Sequence, residues 1–431
     1  MSRNLLEHPS APSFLREFQE NHLSELAFLL TQRQRYLHDL ALQWPDIESL
    51  EVRIHRHAEA MQAAGETAVS CAREMLVSDA PDELTAAAFA LTSILSDEAG
   101  IEEVLARLGD CGPELRPCVW DALALARHPR LSERLAPLLA SKDPELRVFA
   151  ARLMGHRQDS EAGPLLPLLD DASPAVRTSA VLAVAELGHR AALPVLERKL
   201  TQVPLGELGA WTLATLRLGS SRALQVCRQA CQASGPVPAM LLQVLALAGQ
   251  AQDFAPVQRL CTRPELSKAA LEALGILGVP ASVPLLIEHL GNAQEPLQEA
   301  AASALALMTG AGLTEQVQLP GEEDDDPEAV RDVTRPSRDA SAWGRWWSAH
   351  RPRLEGASRL RHGRPCTPGS HLEELTQPGS TLPQRARAAV ELVIRSGHFV
   401  GFQPDWPIHR QRQALAQWRG WWEERERGQA R

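Results

Sequence analysis

A stretch of thirty residues in this chain is followed directly by a second version of itself. Residues 141–170 and 171–200 align without a gap, so that Pro144 falls on Pro174 and Arg147 falls on Arg177. A period near thirty that is kept over eight units predicts an array of stacked structural repeats. Prolines that open segments rich in Ala and Leu recur at intervals of 28 to 32 residues, at Pro81, Pro113, Pro144, Pro174, Pro204, Pro236, Pro264 and Pro296.

Each repeat has the pattern of two helices. The proline is expected at the first helical position, where its missing N–H leaves no bond unmade, and Asp143 and Ser173 stand where a capping side chain belongs. Apolar residues begin at Leu146 and recur at helical spacing, which makes one apolar stripe. We expect Gly155 and Gly188 to end the first helices. Because one pair cannot bury its stripe alone, the pairs should stack into a curved rod with a long concave binding surface.

The composition favours a folded protein made of helices. Of the 431 residues, 44% are apolar and 23% charged, and a single Tyr and eight Phe argue against a barrel or sandwich. The longest near-apolar run, at 86–95, is too short to span a bilayer, and the first residues show no apolar leader. Seven cysteines without metal-ligand spacing suit a reducing compartment. We therefore expect a cytoplasmic protein with no membrane partner and no cofactor.

Several repeat openings resemble the HEAT repeat. "DPELR" at 143–147, "SPAVR" at 173–177 and "ASVPLLIEHL" at 281–290 are similar to the helix openings of that family, and the resemblance covers about 78–310. It implies an α-solenoid that holds other macromolecules. The expected fold class is thus all-α, a HEAT-like solenoid of about eight helix pairs between a helical N-terminal cap and a Trp-rich helical C-terminal cap. The units at Pro204 and Pro236 lack the Arg found at Arg147 and Arg177, so an Asp–Arg ladder is not expected along the whole array.

The N-terminal region is similar to a more particular family. His22, Phe28, Arg33 and "LEVRIHRHAEAMQAAGETA" at 50–68 resemble the opening of a bacterial family of HEAT-repeat proteins of unassigned biochemistry. Members of that family are often encoded near type VI secretion genes. The resemblance implies that neighbourhood for this chain and leaves the mechanism open.

We expect four segments: a helical region at 1–77, the repeats at 78–312, an acidic linker at 313–342, and a helical region rich in Trp and Arg at 343–431. Inside the linker, five consecutive acids form a solvated spacer or a partner-docking segment, namely Glu322, Glu323, Asp324, Asp325 and Asp326. The last segment carries seven of the ten Trp, and its helical Trp spacing is typical of core or end-cap packing. It also holds 15 Arg and 8 acidic residues, a net charge of +7. Because the whole chain has a net charge of −10, the first 342 residues carry −17.

No catalytic or metal motif is present in the sequence. Cys118 occupies a core slot of the repeat, and Cys227 and Cys231 share an apolar stripe, so all three are interpreted as core residues. His57 lies on the stripe of its helix and is interpreted as a satisfied buried histidine, although Glu51 or Glu59 could assist it as an acid. We expect no enzyme activity.

The leading functional hypothesis is a non-catalytic protein-binding solenoid. Its sharper form is an immunity protein that binds and occludes a type VI secretion toxin such as a nuclease, since an acidic concave surface fits the basic cleft of such a toxin. A secretion adaptor or scaffold would load an effector on the same surface. Nucleic-acid binding through 343–431 is a further alternative, which the acidic remainder opposes. A fourth hypothesis, a lyase that acts on a protein-bound chromophore, is supported by no group of residues in the sequence.

Overall fold

Proline-initiated helices lie side by side in this structure, a computed structural model that describes residues 10–39, 42–94, 98–233, 235–320 and 330–429. Contacts divide the chain into two compact units. The first unit consists of the described parts of Met1–Ala192, Leu372–Ala389 and Phe399–Arg431. The second consists of the described parts of Leu193–His371 and Val390–His398. These units cut across the four segments expected from the sequence, which stay a prediction.

The first unit contains the N-terminal helices, three repeats, the first helix of a fourth and the C-terminal helix. They are α1 (Ala11–His38), α2 (Glu48–Ala64), α3 (Glu66–Leu76), α4 (Pro81–Ser93), α5 (Glu98–Asp110), α6 (Arg116–Leu125), α7 (Leu131–Leu135), α8 (Pro144–Arg157), α9 (Pro174–Glu186) and α21 (Ile408–Gln429), with 3₁₀ turns at Trp44–Ile47, Ala136–Ala140, Gly163–Asp170 and Arg190–Ala192. Successive first helices pack in the order α4, α6, α8 and α9.

The second unit continues the same pattern. Its elements are α10 (Leu193–Leu200), α11 (Leu205–Arg217), α12 (Ser221–Gln232), α13 (Ala239–Ala248), α14 (Phe254–Leu260), α15 (Ser267–Leu277), α16 (Val283–His289), α17 (Glu295–Thr309) and α18 (Ala340–Leu354), with strands β1 (Thr314–Pro320), β2 (Val330–Pro336), β3 (Leu360–Arg361) and β4 (Arg364–Pro365) and 3₁₀ turns at Ala251–Asp253 and Pro280–Ser282. The first helices α11, α13, α15 and α17 pack in sequence. Helices α19 (Pro368–Thr376) and α20 (Leu382–Ser396) contribute residues to both units.

The proline period marks the first helices with small offsets. Pro144 and Pro174 begin α8 and α9 as predicted, whereas Pro204 is the N-cap of α11 and Pro113 lies three residues before α6. The side chain of Asp143 caps α8 by accepting from the N–H of Glu145 at 2.8 Å. Ser173 makes no such side-chain bond, so that part of the prediction is wrong.

Glycine and alanine set the spacing between first helices. Gly155 was expected to end its helix, but it lies inside α8, and Gln158 ends that helix with φ 51°. A Cβ on Gly155 would lie 2.8 Å from the Cα of Ala183, so the absence of a side chain lets α8 approach α9. Gly188 lies two residues past the end of α9 at φ 65°, as a C-cap glycine does.

A β-hairpin lies where the acidic linker was expected. Strands β1 and β2 pair antiparallel from Thr314 opposite Pro336 to Pro320 opposite Val330. Arg335 of β2 pairs with Glu315 of β1 at 2.8 Å, and it joins the hairpin to Glu299 of α17 at 3.1 Å. Val317 and Leu319 alternate with polar residues along β1, and β2 is rich in β-branched residues; both features favour strands, a signal that the neighbouring acids obscured. The acids themselves, Glu322 to Asp326, lie outside the described residues.

Most of the buried side chains in both units are aliphatic. The largest fully buried side chains include Trp211, Trp343 and Trp418. The described helices are all too short or too polar to cross a membrane.

Candidate partner-binding groove

The predicted repeat arginines fix the loops between repeats. Arg147 donates to both carboxylate oxygens of Asp171 at 2.9 Å and to the carbonyl of Ser141 at 2.7 Å. Arg177 donates to the carbonyl of Asp171 at 2.7 Å. The Arg147 guanidinium holds the pKa of Asp171 below its usual value. Arg147 and Arg177 therefore act structurally within the first unit.

Arg116 extends this ladder by one repeat towards the N-terminus. It pairs with Asp143 at 3.2 Å and also with Glu145. The ladder thus joins α6 to the loop before α8, and α8 to the loop before α9. It brings the N-terminal turns of three consecutive first helices to the same edge of the first unit.

A groove opens beside this ladder, with a cavity of about 340 Å³. We call it the Trp120 groove. Its walls come from α6, α8 and α9 and from residues just before them, and these walls carry both apolar and charged groups. It is lined by Pro113, Arg116, Trp120, Pro144, Glu145, Val148, Phe149, Arg152, Ser173 and Ala175.

Aromatic and guanidinium groups shape the floor of the Trp120 groove. The ring of Trp120 meets the ring of Phe149 edge to face, with centroids 5.6 Å apart. The guanidinium carbon of Arg152 lies 5.4 Å from the Trp120 ring centroid, in cation–π geometry. Trp120 and Val148 are half-buried, and Arg152 is exposed. Trp and Arg are the residue types that contribute most to protein–protein binding energy.

The chain's own C-terminal segment covers the neighbouring part of the first unit. The indole N–H of Trp406 donates to the carbonyl of His156 at 2.8 Å, and Asp405 contacts the Nε2 of His156 at 3.0 Å. The guanidinium of Arg410 stacks 3.4 Å from the Trp406 ring centroid. A Cβ on Gly188 would meet the ring of Phe399 at 2.5 Å. Residues 399–410 therefore cover the last turn of α8 and the loop that follows α9.

A buried ion pair anchors the same segment to the N-terminal helices. Arg33 donates to Glu51 at 2.9 Å and to the carbonyl of Asp405 at 2.6 Å, while the N–H of Ile408 donates to Glu51 at 2.7 Å. Burial tends to raise the pKa of the Asp405 carboxyl, but the His156 hydrogen bond and the Arg33 charge hold that pKa below its usual value. Burial raises the pKa of the nearby Asp121 to about 6.

The other residues noted in the sequence are dispersed. Glu51 is held by Arg33 and does not meet His57. His57 is half-buried rather than buried, so that prediction is wrong, and its Nδ1 lies 2.8 Å from the Nδ1 of His22. Cys227 and Cys231 are buried, as core residues are, but Cys118 is half-buried, so its assignment to the core is wrong. Among the residues that the structure describes, no three His, Cys, Asp or Glu side chains form a cluster able to hold a metal ion.

Two stretches of the chain match known repeat families. The family described as HEAT repeats matches residues 132–217, and the PBS lyase HEAT-like repeat matches residues 268–292. Both matches agree with the helix pairs seen in the two units. No curated protein matches the chain.

Several solved structures match more of the chain, at low similarity. An engineered protein is 18% identical, with 70% of this chain and 86% of that chain covered and a TM-score of 0.27. Human deoxyhypusine hydroxylase in complex with glycerol is 16% identical, with 67% and 96% covered and a TM-score of 0.25. A designed armadillo repeat protein is 19% identical, with 54% and 96% covered and a TM-score of 0.22. TM-scores this low support no argument about function.

Proposed function

We propose that this chain is a non-catalytic protein-binding HEAT-repeat array whose Trp120 groove holds a segment of a partner protein. HEAT-repeat solenoids are generally used for protein interaction. The observation that carries the proposal is the open groove in which Trp120 and Arg152 stack beside Phe149. Such anchors contribute most when they lie in a pocket from which a partner excludes water.

The charges of the groove indicate the chemistry of the docking segment. Arg152 is exposed at the edge of an apolar floor, so a fitting segment carries an apolar side chain next to a carboxylate. The whole chain has a net charge of −10, which accelerates association with a partner of net positive charge. The proposed partner is therefore a basic protein with a short acidic and apolar docking segment.

In its finer form, the proposed function is that of a cytoplasmic immunity protein that occludes a type VI secretion toxin, such as a nuclease. This form rests on the net negative charge and on the resemblance of the N-terminal region described above. Binding would block the toxin sterically, and the chain itself would carry out no chemistry.

The test uses charge-reversal variants in cells that express the toxin-like gene adjacent to the gene for this chain. Arg152→Glu changes the groove, and Arg198→Glu is the matched control on an exposed part of α10. We expect the wild type and the control to co-purify with the toxin and to restore growth. Arg152→Glu should weaken binding by roughly 10- to 30-fold, as the loss of a strong interface anchor does. Equal affinity of both variants would overturn the groove assignment, and unprotected growth with the wild type would overturn the immunity role.

A further inference from the structure

A second cavity, of about 500 Å³, lies within the second unit. Its lining residues come from four places in this unit. They are Gln250 and Gln252 at the start of the 3₁₀ turn before α14, Arg359 and Cys366 near the short strands, His371 of α19 and Arg395 of α20. This volume lies in the range of small-molecule sites. We call it the Cys366 cavity, and its lining is about half polar, whereas that of the Trp120 groove is mostly apolar.

The side chains of Cys366, His371 and Glu391 lie in a row beside this cavity, each close to the next. The Sγ of Cys366 lies 3.5 Å from the Nε2 of His371, and the Nδ1 of His371 lies 3.6 Å from the Oε2 of Glu391. The side chains of His371 and Glu391 are 1% and 0% exposed, whereas Cys366 is partly exposed. This order of thiol, imidazole and carboxylate is the one that activates a cysteine.

Positive charge exceeds negative charge around the thiol. Glu391 accepts hydrogen bonds from Arg359 at 2.7 Å and from Arg361 at 2.8 Å, so one carboxylate faces two guanidinium groups. Arg395 adds a third guanidinium, which donates to the carbonyl of Gly249 at 2.8 Å. Burial lowers the pKa of Arg395 to about 10, with a further contribution from the charge of Arg359. An anion in the cavity would relieve this excess.

The surroundings distinguish Cys366 from the other cysteines. Burial tends to raise the pKa of the Cys366 thiol, but the His371 hydrogen bond and the charges of Arg359 and Arg361 lower that pKa to about 7. Burial raises the pKa of Cys261 to about 11, and it also raises the pKa of the half-buried Cys118. Near neutral pH, about half of the partly exposed Cys366 is thus present as thiolate, and Cys118, which is also half-buried, serves as a comparison.

A purely structural role explains part of this cluster. Arg359 also donates to the carbonyls of Leu277 and Ile276, so the Arg–Glu pairs hold the short strands against α15 and α20. That role does not require a thiol next to the histidine, nor a cavity in front of the thiol. It leaves unexplained the thiol of Cys366 and the buried Nε of Arg395, which makes no hydrogen bond within the described residues.

We propose that Cys366 is a site of reversible S-thiolation by a small disulfide that carries carboxylate groups, which Arg359 and Arg395 attract into the cavity. The Cys366 thiolate attacks one sulfur of the bound disulfide. A new S–S bond forms to Cys366, the original S–S bond breaks, and the other half leaves as a thiolate that takes a proton from water. Among the described residues, no second cysteine lines the cavity, so the mixed disulfide persists until an external thiol reverses it.

The experiment treats the full chain at pH 7 with glutathione disulfide, which carries carboxylates, or with cystamine, which is cationic. Peptide mapping by mass spectrometry measures the rates at Cys366 and at Cys118. We expect glutathione disulfide to modify Cys366 at least about tenfold faster than Cys118. About half of a thiol whose pKa is near 7 is ionised at pH 7, whereas burial raises the pKa of Cys118 and leaves far less of it as thiolate. Comparable rates at the two cysteines would overturn the proposal.

Two variants test the roles of the neighbours. Arg395→Gln should lower the ratio of the glutathione disulfide rate to the cystamine rate by roughly tenfold, because only the anionic reagent loses attraction. His371→Asn should slow modification at pH 7 by about tenfold but much less at pH 10, where the thiol ionises without help.

The wild type supplies a test that needs no variant. The rate at which iodoacetamide alkylates Cys366 should rise with pH through an inflection near 7. An inflection near 9, or an unchanged reagent ratio in folded Arg395→Gln, would contradict the proposed site. These outcomes do not depend on whether the Trp120 groove binds a partner.

Discussion

At the scale of single residues, the Arg33–Glu51 pair is the interaction on which the first unit depends most directly. Both side chains are almost fully buried and 2.9 Å apart, so neither charge can be hydrated if the other is removed. Arg33→Met should lower the free energy of unfolding by about 3–5 kcal/mol, because it leaves the Glu51 carboxylate buried without a cation. Chemical denaturation monitored by circular dichroism measures this change.

The chain offers a matched control for that variant. Arg53 and Glu25 lie 3.6 Å apart with both side chains about half exposed, and they join the same two helices, α1 and α2. Arg53→Met should change stability by less than about 1 kcal/mol, since water screens an exposed pair. Equal losses in the two variants would show that burial does not determine the effect.

Asp121 should make stability depend on pH in a defined direction. Burial, helped by the negative charge of Asp405, raises the pKa of this carboxyl to about 6 against the lowering effects of Arg33 and His156, so the folded protein holds the proton more tightly than the unfolded chain does. Its contribution to stability is fully present below pH 4 and is lost as the pH rises through about 6. Asp121→Asn should therefore match the wild type at pH 4 and be about 2 kcal/mol more stable at pH 7. A pH-independent difference between the two proteins would contradict this reasoning.

At the scale of elements, the contact of α8 with α9 depends on the missing side chain of Gly155. Gly155→Ala gains up to about 1 kcal/mol in helix propensity, but its Cβ would press on the Cα of Ala183 at 2.8 Å. We expect a net loss of about 1–2 kcal/mol in the free energy of unfolding. Gly344→Ala in α18, where nothing lies within 4 Å of the added Cβ, should instead stabilise the protein, and thermal unfolding compares the two. Stabilisation by both substitutions would mean that α8 and α9 are not closely packed.

The same contact shows how far sequence reasoning reaches. The proline period and the apolar stripes predict the first helices because those signals are local. Gly155 looked like a helix end because a C-cap glycine and a packing glycine are identical in sequence; the neighbour that distinguishes them, Ala183, lies in the next repeat. The second helices were harder to predict, since "GPLLPLLD" folds as a 3₁₀ turn with Pro167 inside it.

The candidate sites were less predictable still. The repeats place Trp120 and Arg152 on known helices, yet the groove arises only when three helices meet. Cys366, His371 and Glu391 are brought together from a strand end and two helices, and no spacing in the sequence marks them as a group. Glu51 was singled out as a possible acid, but its partners Arg33 and Ile408 are distant in sequence and fix it as a structural carboxylate.

At the scale of the whole molecule, residues near both ends of the chain complete the first unit. The C-terminal residues supply Asp405 and Ile408 to the Arg33–Glu51 pair, and Trp406 to the last turn of α8. Trp418 of α21 is 1% exposed within the same unit. The core of the first unit therefore includes side chains from the C-terminal residues as well as those of the repeats.

Two truncations distinguish this view from one in which the C-terminal segment is a dispensable tail. Deletion of 399–431 removes the buried partners of Arg33 and Glu51 together with Trp406 and Trp418, and we expect the melting temperature to fall by roughly 10 °C or more. Deletion of 423–431 removes residues that are exposed where the structure describes them, and the melting temperature should change by less than about 2 °C. Calorimetry of the two truncated proteins measures both values. If the longer deletion melts at the same temperature as the shorter one, the contacts of 399–418 do not stabilise the first unit, and the surface that they cover, on the last turn of α8 and the loop after α9, is available to a partner after all.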